Sequence, residues 1–577
     1  MNNSHESLPK PNRSMWQKIT QSKHFVYVLI SPLAFILLAY VIYPMFKTFS
    51  NSVMDEEGSL SLSNYISFFT TEADVESLFN SVFISVVSVV TCGIVGITMA
   101  FLLNRYEFPG RRILSVLALV PMALPPLIGA ISFDFLYGET GILPRLFEQL
   151  FNLEDVPFYL DNMLAIIVVH TFTMYPYFYL SGSATIKGLD MSLEEAATNL
   201  GAGRIRIWRK VILPMLTPAM VASSLLVFMI SMASYTAPLM FNFERTMTMR
   251  IVLSRTNGNL DAAATQSTVL SLVSIGFLLI MTWYQNRRNY QSQSKGVGVH
   301  RTEVSSSVIR YLSMLASIIC VLILLLPILV IGLISFSVDG EWTTQVIPDS
   351  YTLEHYVNLF TDSNTWRPIW NSIKMSSVAV IGNIIFGVAA AYVMVRYNFK
   401  GKMLMDILIM VPWALPGTVV AVNLISAFSN GNVFSLNQVL VGTFWILPLA
   451  YFVRQLPLIF RNSQASLIQM DESMEEAALG LGASWAYSFR KVVLPAIMPG
   501  ILAGTLLAFV QGLTEFVASI LIYTPSTTPL SVGIWNKLYS FEFGTASAYG
   551  TLQTVLIIIV LFINEKIQSD KSSNTMM

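Results

Sequence analysis

Along the chain, apolar residues come in blocks separated by short polar stretches. Each block is about 20 residues or longer, the length that crosses a bilayer as a helix. The blocks fall near 25–46, 80–103, 113–136, 162–182, 212–236 and 266–284, and again near 309–334, 371–395, 404–428, 436–456, 496–520 and 546–564. Six precede and six follow the polar, Gly- and Ser-containing stretch QNRRNYQSQSKGVGVHRTEVSS at 285–306. Such a composition suits a linker. The pattern predicts an all-α integral membrane protein of about twelve transmembrane helices. Its expected parts are an N-terminal tail (1–24), a first membrane domain (25–284), a linker (285–308), a second membrane domain (309–565) and a C-terminal tail (566–577).

The two halves repeat each other in the same order. Asn80-Ser81 opens the second block and Asn371-Ser372 the eighth. Arg105-Tyr106-x-Phe108-x-Gly110 matches Arg396-Tyr397-x-Phe399-x-Gly401, and Pro121-x-Ala123-Leu124-Pro125 matches Pro412-x-Ala414-Leu415-Pro416. An even number of spans per half makes the repeats parallel, related by an axis along the membrane normal. The proline pairs interrupt helix hydrogen bonding, which reads either as breaks lining a path or as plain kinks. The Gly93–Gly96 and Gly382–Gly387 spacings make no GxxxG pattern and carry no weight.

Composition agrees with the pattern. Of 577 residues, 54% are hydrophobic and only 12% charged, with mean hydropathy +0.61; soluble domains carry about 25% charged residues. Lys+Arg and Asp+Glu number 34 each, so net charge points to no nucleic-acid partner. The apolar block from Phe25 is too long for a cleaved signal peptide and reads as a retained first helix. Cys92 and Cys320 both sit in apolar blocks, as small hydrophobes rather than a disulfide or metal framework.

Where the charges sit matters more. Lys and Arg concentrate on the cytoplasmic side of membrane proteins. The loops after spans two and four carry Arg105, Arg111, Arg112, Lys187, Arg204, Arg206, Arg209 and Lys210, and the linker adds Arg287, Arg288, Lys295 and Arg301. The loop after span one is acidic: Asp55, Glu56, Glu57, Glu72, Asp74 and Glu76. Both termini and the linker are therefore expected in the cytoplasm. Arg245, Arg250 and Arg255 dissent, because they follow span five.

One polar segment occurs twice. Residues 193–214 read LEEAATNLGAGRIRIWRKVILP and residues 474–495 read MEEAALGLGASWAYSFRKVVLP. Ser192 with Glu195, and Ser473 with Glu476, have capping-box spacing. Leu193, Ala196, Ala197 and Leu200 form an i, i+3, i+4, i+7 stripe, repeated by Met474, Ala477, Ala478 and Leu481. Gly201 and Gly482 suit left-handed caps, and Pro214 and Pro495 suit the first turn of the next span. Each copy reads as a short helix, a glycine bend and a second helix entering the membrane. A single copy reads equally as an amphipathic linker on the lipid surface; identical spacing in two copies favours a docking surface.

The segment resembles the EAA motif of the membrane subunits of bacterial ABC importers, the binding-protein-dependent permeases. It stands here as Glu195-Ala196-Ala197-x3-Gly201-x9-Val211-x-Leu213-Pro214 and Glu476-Ala477-Ala478-x3-Gly482-x9-Val492-x-Leu494-Pro495. Valine replaces the usual isoleucine before Leu-Pro in both copies. The resemblance implies a multi-pass permease in a bacterial cell membrane. It further implies two cytoplasmic ABC ATPase subunits that receive the two EAA helices, and an extracytoplasmic solute-binding protein. The fused arrangement is similar to permeases of the ferric iron, thiamine and phosphonate importers. Gly512-Leu513-Thr514-Glu515-Phe516-Val517-Ala518 looks most like the ferric iron branch, with thiamine, polyamine or phosphonate as alternatives.

The chain has no Gly-x4-Gly-Lys-Ser/Thr, so it has no P-loop for nucleotide phosphates. No cofactor is expected on this chain, and ATP would be hydrolysed by partner subunits. No catalytic constellation is visible, so an enzyme is not expected. A secondary transporter of the major facilitator kind also has six-plus-six parallel repeats, but it needs no docking helix of fixed spacing after span four. Ionisable groups within the membrane are functional candidates: Glu515, Asp134 and His170. Each has a plainer interpretation, hydration for the carboxylates and packing for His170. Ser234 stands where Glu515 does in the other half. Asp339, Glu341 and Asp349 add to the outer acidic loops, which fits a cation cargo.

Overall fold

The computed structural model describes residues 25–54, 58–187, 191–287, 307–340 and 345–574. Among them the regular structure is helical, apart from two isolated β-bridges, Met54–Leu60 and Ser337–Tyr351. Among the described residues nine helices are long and apolar enough to cross a membrane, and two bent helix pairs pass the same test as broken spans. Ile446–Gln469, which carries Arg454 and Arg461, stands where the tenth span is expected. The expected linker lies mostly at 288–306, outside the described residues. The flanking helices are Leu260–Arg287 and Ser307–Ile334, and the last helix runs Phe543–Asn574.

The third and ninth spans are not straight. Arg111–Ala123 and Pro126–Phe151 meet at 103°, and Lys402–Ala414 and Gly417–Phe428 at 110°. Proline disfavours helical geometry in the residue before it. Leu124 and Pro125 are accordingly extended (ψ 128° and 140°), as are Leu415 and Pro416 (ψ 133° and 148°). Two successive extended residues turn the chain, so the proline pairs are breaks rather than kinks.

The tenth span begins ten residues later than the hydropathy suggests. Asn432 caps a short turn, and Leu436, Asn437 and Gly442 take left-handed conformations, which stops a helix over 436–445. Spans two and eight start earlier, as Glu72–Arg105 and Ser363–Arg396. Each has 34 residues, about 50 Å at 1.5 Å per residue, so each projects beyond the bilayer.

Asn80-Ser81 and Asn371-Ser372 consequently sit inside these helices and hold a loop. Asn80 Nδ2 donates to the Arg245 carbonyl (3.1 Å), and Met247 N–H donates to Ser81 Oγ (2.8 Å). In the second half Asn371 Nδ2 reaches the carbonyls of Ser526 and Thr528, and Leu530 N–H donates to Ser372 Oγ (2.7 Å). Each serine satisfies an N–H at the start of a short helix, Met247–Thr256 or Leu530–Tyr539.

Within each half the second and fourth spans pack closely. Gly96 and Gly387 permit it: a methyl on Gly96 would lie 2.6 Å from the Tyr175 carbonyl oxygen, and one on Gly387 3.1 Å from Phe460 N. The glycine spacing carried no motif, yet these equivalent positions are where the helices meet. Between halves the packing is exchanged. The end of the first span, Tyr43–Ser52, lies on Gly417–Phe428 of the other half, and Ser307–Ile334 lies on Pro126–Tyr137.

Two of the three dissenting arginines are matched by acids. Arg245 pairs with Glu76 (2.9 Å) and Arg250 with Asp74 (3.0 Å), which also accepts from Gln266 Nε2 (2.9 Å).

Candidate coupling site and membrane interior

The repeated segments fold alike. Met191–Asn199 and Glu472–Gly480 are helices of nine residues. Gly201 and Gly482 follow with φ of +79° and +93°, a conformation that costs other residues about 1–2 kcal/mol. The chain re-enters helix at Arg204 and at Trp485 and continues into the next span through a π-turn, Trp208–Ile212 or Phe489–Val493. Pro214 and Pro495 come two residues later. A proline ring collides with the carbonyl four residues back, and the wider π-turn accommodates it. Neither proline starts a separate helix.

The capping expectation needs correction. Asp471, not Ser473, caps the second helix, accepting the Ser473 N–H at 2.9 Å. Those hydrogen bonds hold the Asp471 carboxyl below the usual carboxylate range. Ser473 lies inside the first turn because the chain is extended only up to Asp471. The Ser192 and Glu195 side chains lie outside the described residues.

The residue that anchors each helix is the glutamate before the motif. Arg105 at the end of span two grips Glu194 through two parallel bonds, Nη1–Oε1 at 2.5 Å and Nη2–Oε2 at 2.6 Å. Arg396, its counterpart, bonds Glu475 (3.1 Å) and Glu472 (2.6 Å). Tyr392 donates to Glu475 Oε1 (2.5 Å) and accepts from Trp485 Nε1 (2.9 Å). The repeated Arg-Tyr pair had marked only the repeat; its arginine is a structural partner of the repeated helix. A bidentate guanidinium–carboxylate pair fixes orientation as well as adding energy.

With the helix held by Glu194 or Glu475, the motif residues turn away from the body. Glu476, Ala196 and Ala477 are exposed, and Ala197 and Ala478 half-buried. Leu200 and Leu481, at equivalent positions, are 88% and 90% exposed. Among the described residues nothing in the chain covers them.

In the interior, the halves meet at an aromatic pair. Tyr235 and Phe516 are repeat equivalents, stacked at 6.2 Å between ring centroids and 3% and 2% exposed. Equivalent residues can touch only beside the pseudo-two-fold axis, so this stack marks it. Ser234 and Glu515 immediately precede the two rings. His170 is enclosed: its Nδ1 meets Ser88 Oγ (3.2 Å) and Ser231 Oγ (3.0 Å), and Nε2 meets Ser234 Oγ (2.8 Å). It packs three spans together and does not face a path.

Glu515 is also engaged. Its Oε2 accepts from Arg454 Nη1, and its Oε1 from the Ala518 N–H (3.0 Å). Asp134 is half-buried near the end of Pro126–Tyr137 and makes no ion pair among the described residues. No two of Glu515, Asp134 and His170 are brought into contact. Of the outer carboxylates, Asp339 accepts the Gly544 N–H (2.7 Å) and Asp349 accepts from Gln345 (2.6 Å). Asp55, Glu56, Glu57 and Glu341 lie outside the described residues. Among the described residues no group of three or more His, Cys, Asp or Glu side chains is arranged for a metal ion.

The family model for the binding-protein-dependent transport system inner membrane component matches the chain twice, over residues 93–288 and 383–572. The chain belongs to that family. It is a multi-pass permease of the ABC importer class, a family of transport components rather than of enzymes. The permease is 27% identical over 561 residues to the "Probable ABC transporter permease protein y4fN" of Sinorhizobium fredii, covering 95% of this chain and 98% of that one. It is 26% identical over 555 residues to the "Ferric transport system permease protein FbpB" of Actinobacillus pleuropneumoniae, covering 94% and 79%. Over 200 residues it is 34% identical to the "Sulfate transport system permease protein CysT" of Salmonella typhimurium, covering 33% and 72%. The two family matches coincide with the two structural halves, so the permease carries in one chain what the family model describes once.

Proposed function

We propose that the permease forms the translocation path of an ATP-driven importer and couples to two cytoplasmic ATPase subunits through Glu195-Ala196-Ala197 and Glu476-Ala477-Ala478. Both termini and both coupling helices face the cytoplasm in this arrangement, and a solute-binding protein delivers cargo from the other side. No cofactor resides on the chain; ATP is hydrolysed by the partners.

The observation that carries this reading is the pair of coupling helices, anchored at the rear by Arg105–Glu194 and Arg396–Glu475 and bare in front. Leaving a leucine in water forgoes about 1.5–3 kcal/mol that burial would return. Two leucines at matching positions, Leu200 and Leu481, forgo it twice. A groove on a second protein recovers that energy.

Cysteine labelling tests orientation and docking together. A cysteine at Ser59 reacts with an impermeant thiol reagent in intact cells. One at Leu481 is shielded there, reacts in inside-out vesicles, and becomes protected again when the ATPase is bound. Labelling of the Leu481 site from outside removes both parts of the proposal.

Ferric iron is the cargo suggested by the segment around Glu515 and by the name of one relative. The commitment of Glu515 to Arg454 weakens the case for a bare cation. A strain lacking this permease and any redundant importer is expected to grow poorly when ferric iron is scarce. Normal iron-limited growth eliminates iron and leaves the importer reading intact.

A further inference from the structure

Arg454 lies on the ninth residue of the helix Ile446–Gln469, about 12 Å from one end and about 22 Å from the other at 1.5 Å per residue. Read as the tenth span, this helix sets Arg454 well inside a bilayer. Its side chain is 25% exposed, whereas that of Glu515 is 8% exposed. A charged group facing hydrocarbon is costly, so the open part of the guanidinium faces water. The guanidinium lies near the axis: a methyl on Gly417 would come 2.7 Å from Arg454 Nη1 and 2.9 Å from Val517 Cβ, and Val517 follows the axial Phe516.

The bonding is lopsided. Both oxygens of Glu515 are used, one by Arg454 and one by the Ala518 N–H. Arg454 gives only Nη1 to Glu515. A guanidinium has five N–H donors, and the rest take no partner among the described residues. The carboxylate is thus turned inward and the unused donors outward.

A second feature adds positive potential at the same place. Gly417–Phe428 starts beside Arg454. Its first intrahelical bond runs from the Val420 N–H to the Pro416 carbonyl (3.0 Å), leaving the N–H groups of Gly417, Thr418 and Val419 ahead of it. A helix N-terminus favours anions and repels cations, so Glu515 alone balances two positive features. Thr418, in that first turn, is fully buried, and its hydroxyl has no partner among the described residues. In the first half the equivalents of Arg454, Glu515, Gly417 and Thr418 are Thr173, Ser234, Pro126 and Leu127. The charged pair therefore exists on one side of the axis only.

We propose that Arg454 contacts the cargo and that the cargo offers it an oxyanion: a sulfate, a phosphate or phosphonate, or the carboxylates around a chelated metal. Glu515 is a positioning residue that holds the guanidinium in place and is relieved of part of its bond when the oxyanion arrives. This assignment rests on the importer reading. It replaces the idea of Glu515 as a receptor for a bare cation.

The test uses the purified full chain in nanodiscs and reads its thermal midpoint. Sodium sulfate, phosphate, citrate and ferric citrate are each compared with chloride at matched ionic strength. At least one oxyanion is expected to raise the midpoint of the unmodified chain by several degrees, and the one that does names the source. The shift disappears in Arg454→Gln, is partly kept in Arg454→Lys, and grows in Glu515→Gln, where a competing carboxylate is gone. Equal shifts in the unmodified chain and Arg454→Gln overturn the proposal. So does the absence of any shift, or stabilisation by ferric ion that is lost in Glu515→Gln. ATPase capture by the same preparations is scored separately: its absence in the unmodified chain undoes the importer reading, whatever the anions do.

Discussion

Reversing both anchoring carboxylates, Glu194→Arg together with Glu475→Arg, abolishes uptake and ATPase capture while the protein still reaches the membrane. Each change sets a guanidinium against Arg105 or Arg396. Breaking a buried ion pair on one side costs about 3–5 kcal/mol, because the remaining charge stays desolvated. The Arg396–Glu475 pair is the more enclosed, with side chains 9% and 10% exposed. It also loses the Tyr392 hydrogen bond, so Glu475→Arg alone is the more damaging single change. The coupling helices are expected to come loose and become protease-sensitive in the isolated chain, with no ATPase present. Exchanging the partners, Arg105→Glu with Glu194→Arg, restores capture in part. By contrast, Glu476→Arg leaves the helix in place, since Glu476 is exposed, and acts only when the ATPase is added. Full uptake in the double reversal, or normal protease resistance, would contradict the anchoring role.

The second large effect concerns the axis. Tyr235→Ala with Phe516→Ala removes the two rings that meet between the halves, both almost fully buried. Truncating a buried aromatic residue costs about 3–5 kcal/mol, so stability falls. The specific consequence is a leak. Proteoliposomes holding the variant are expected to pass small ions without ATP, where the unmodified chain does not. Truncating a pair such as Phe386 and Phe452, which pack edge-to-face within one half at 6.1 Å, gives a comparable control for lost packing. A tight Tyr235→Ala, Phe516→Ala variant would show that the stack does not close the path.

Twelve spans and two parallel repeats were legible because hydropathy and duplication are properties of many residues at once. The breaks at Leu124-Pro125 and Leu415-Pro416 were half legible. Prolines announce an interruption, but its angle depends on the residue before each proline and on the packing around it. The false start of span ten shows the opposite case. Residues 436–445 are apolar enough to enter a span, and only the Asn432 cap and the left-handed residues after it exclude them.

The coupling helix was recognised by its spacing, yet its anchor was missed. Glu194 and Glu475 lie next to the motif glutamates, and their partners are 89 and 79 residues away. A clue was present: Arg105 and Arg396 recur at the end of the second span of each half, just as the helices they hold recur after the fourth. Arg454 gave no such clue, having no charged equivalent in the first half. Its proposed role came from Glu515, picked out in sequence for the same asymmetry and read there as a candidate for a cation.

The continuous helices Ile205–Met232 and Trp485–Leu513 contain 28 and 29 residues, about 42 Å at 1.5 Å per residue. Each starts just after a coupling bend and stops two residues before Ser234 or Glu515. On the proposed coupling each is a lever, with its handle outside the bilayer and its tip at the axis. A tilt of about 5° moves such a tip by about 4 Å, given a length set by the helical rise. That is most of the separation of the Tyr235 and Phe516 rings. The π-turn near the handle is then the point where stiffness matters most. A joint that flexed there would absorb the stroke, and one that holds would deliver a small rotation at the docking surface as an opening at the centre.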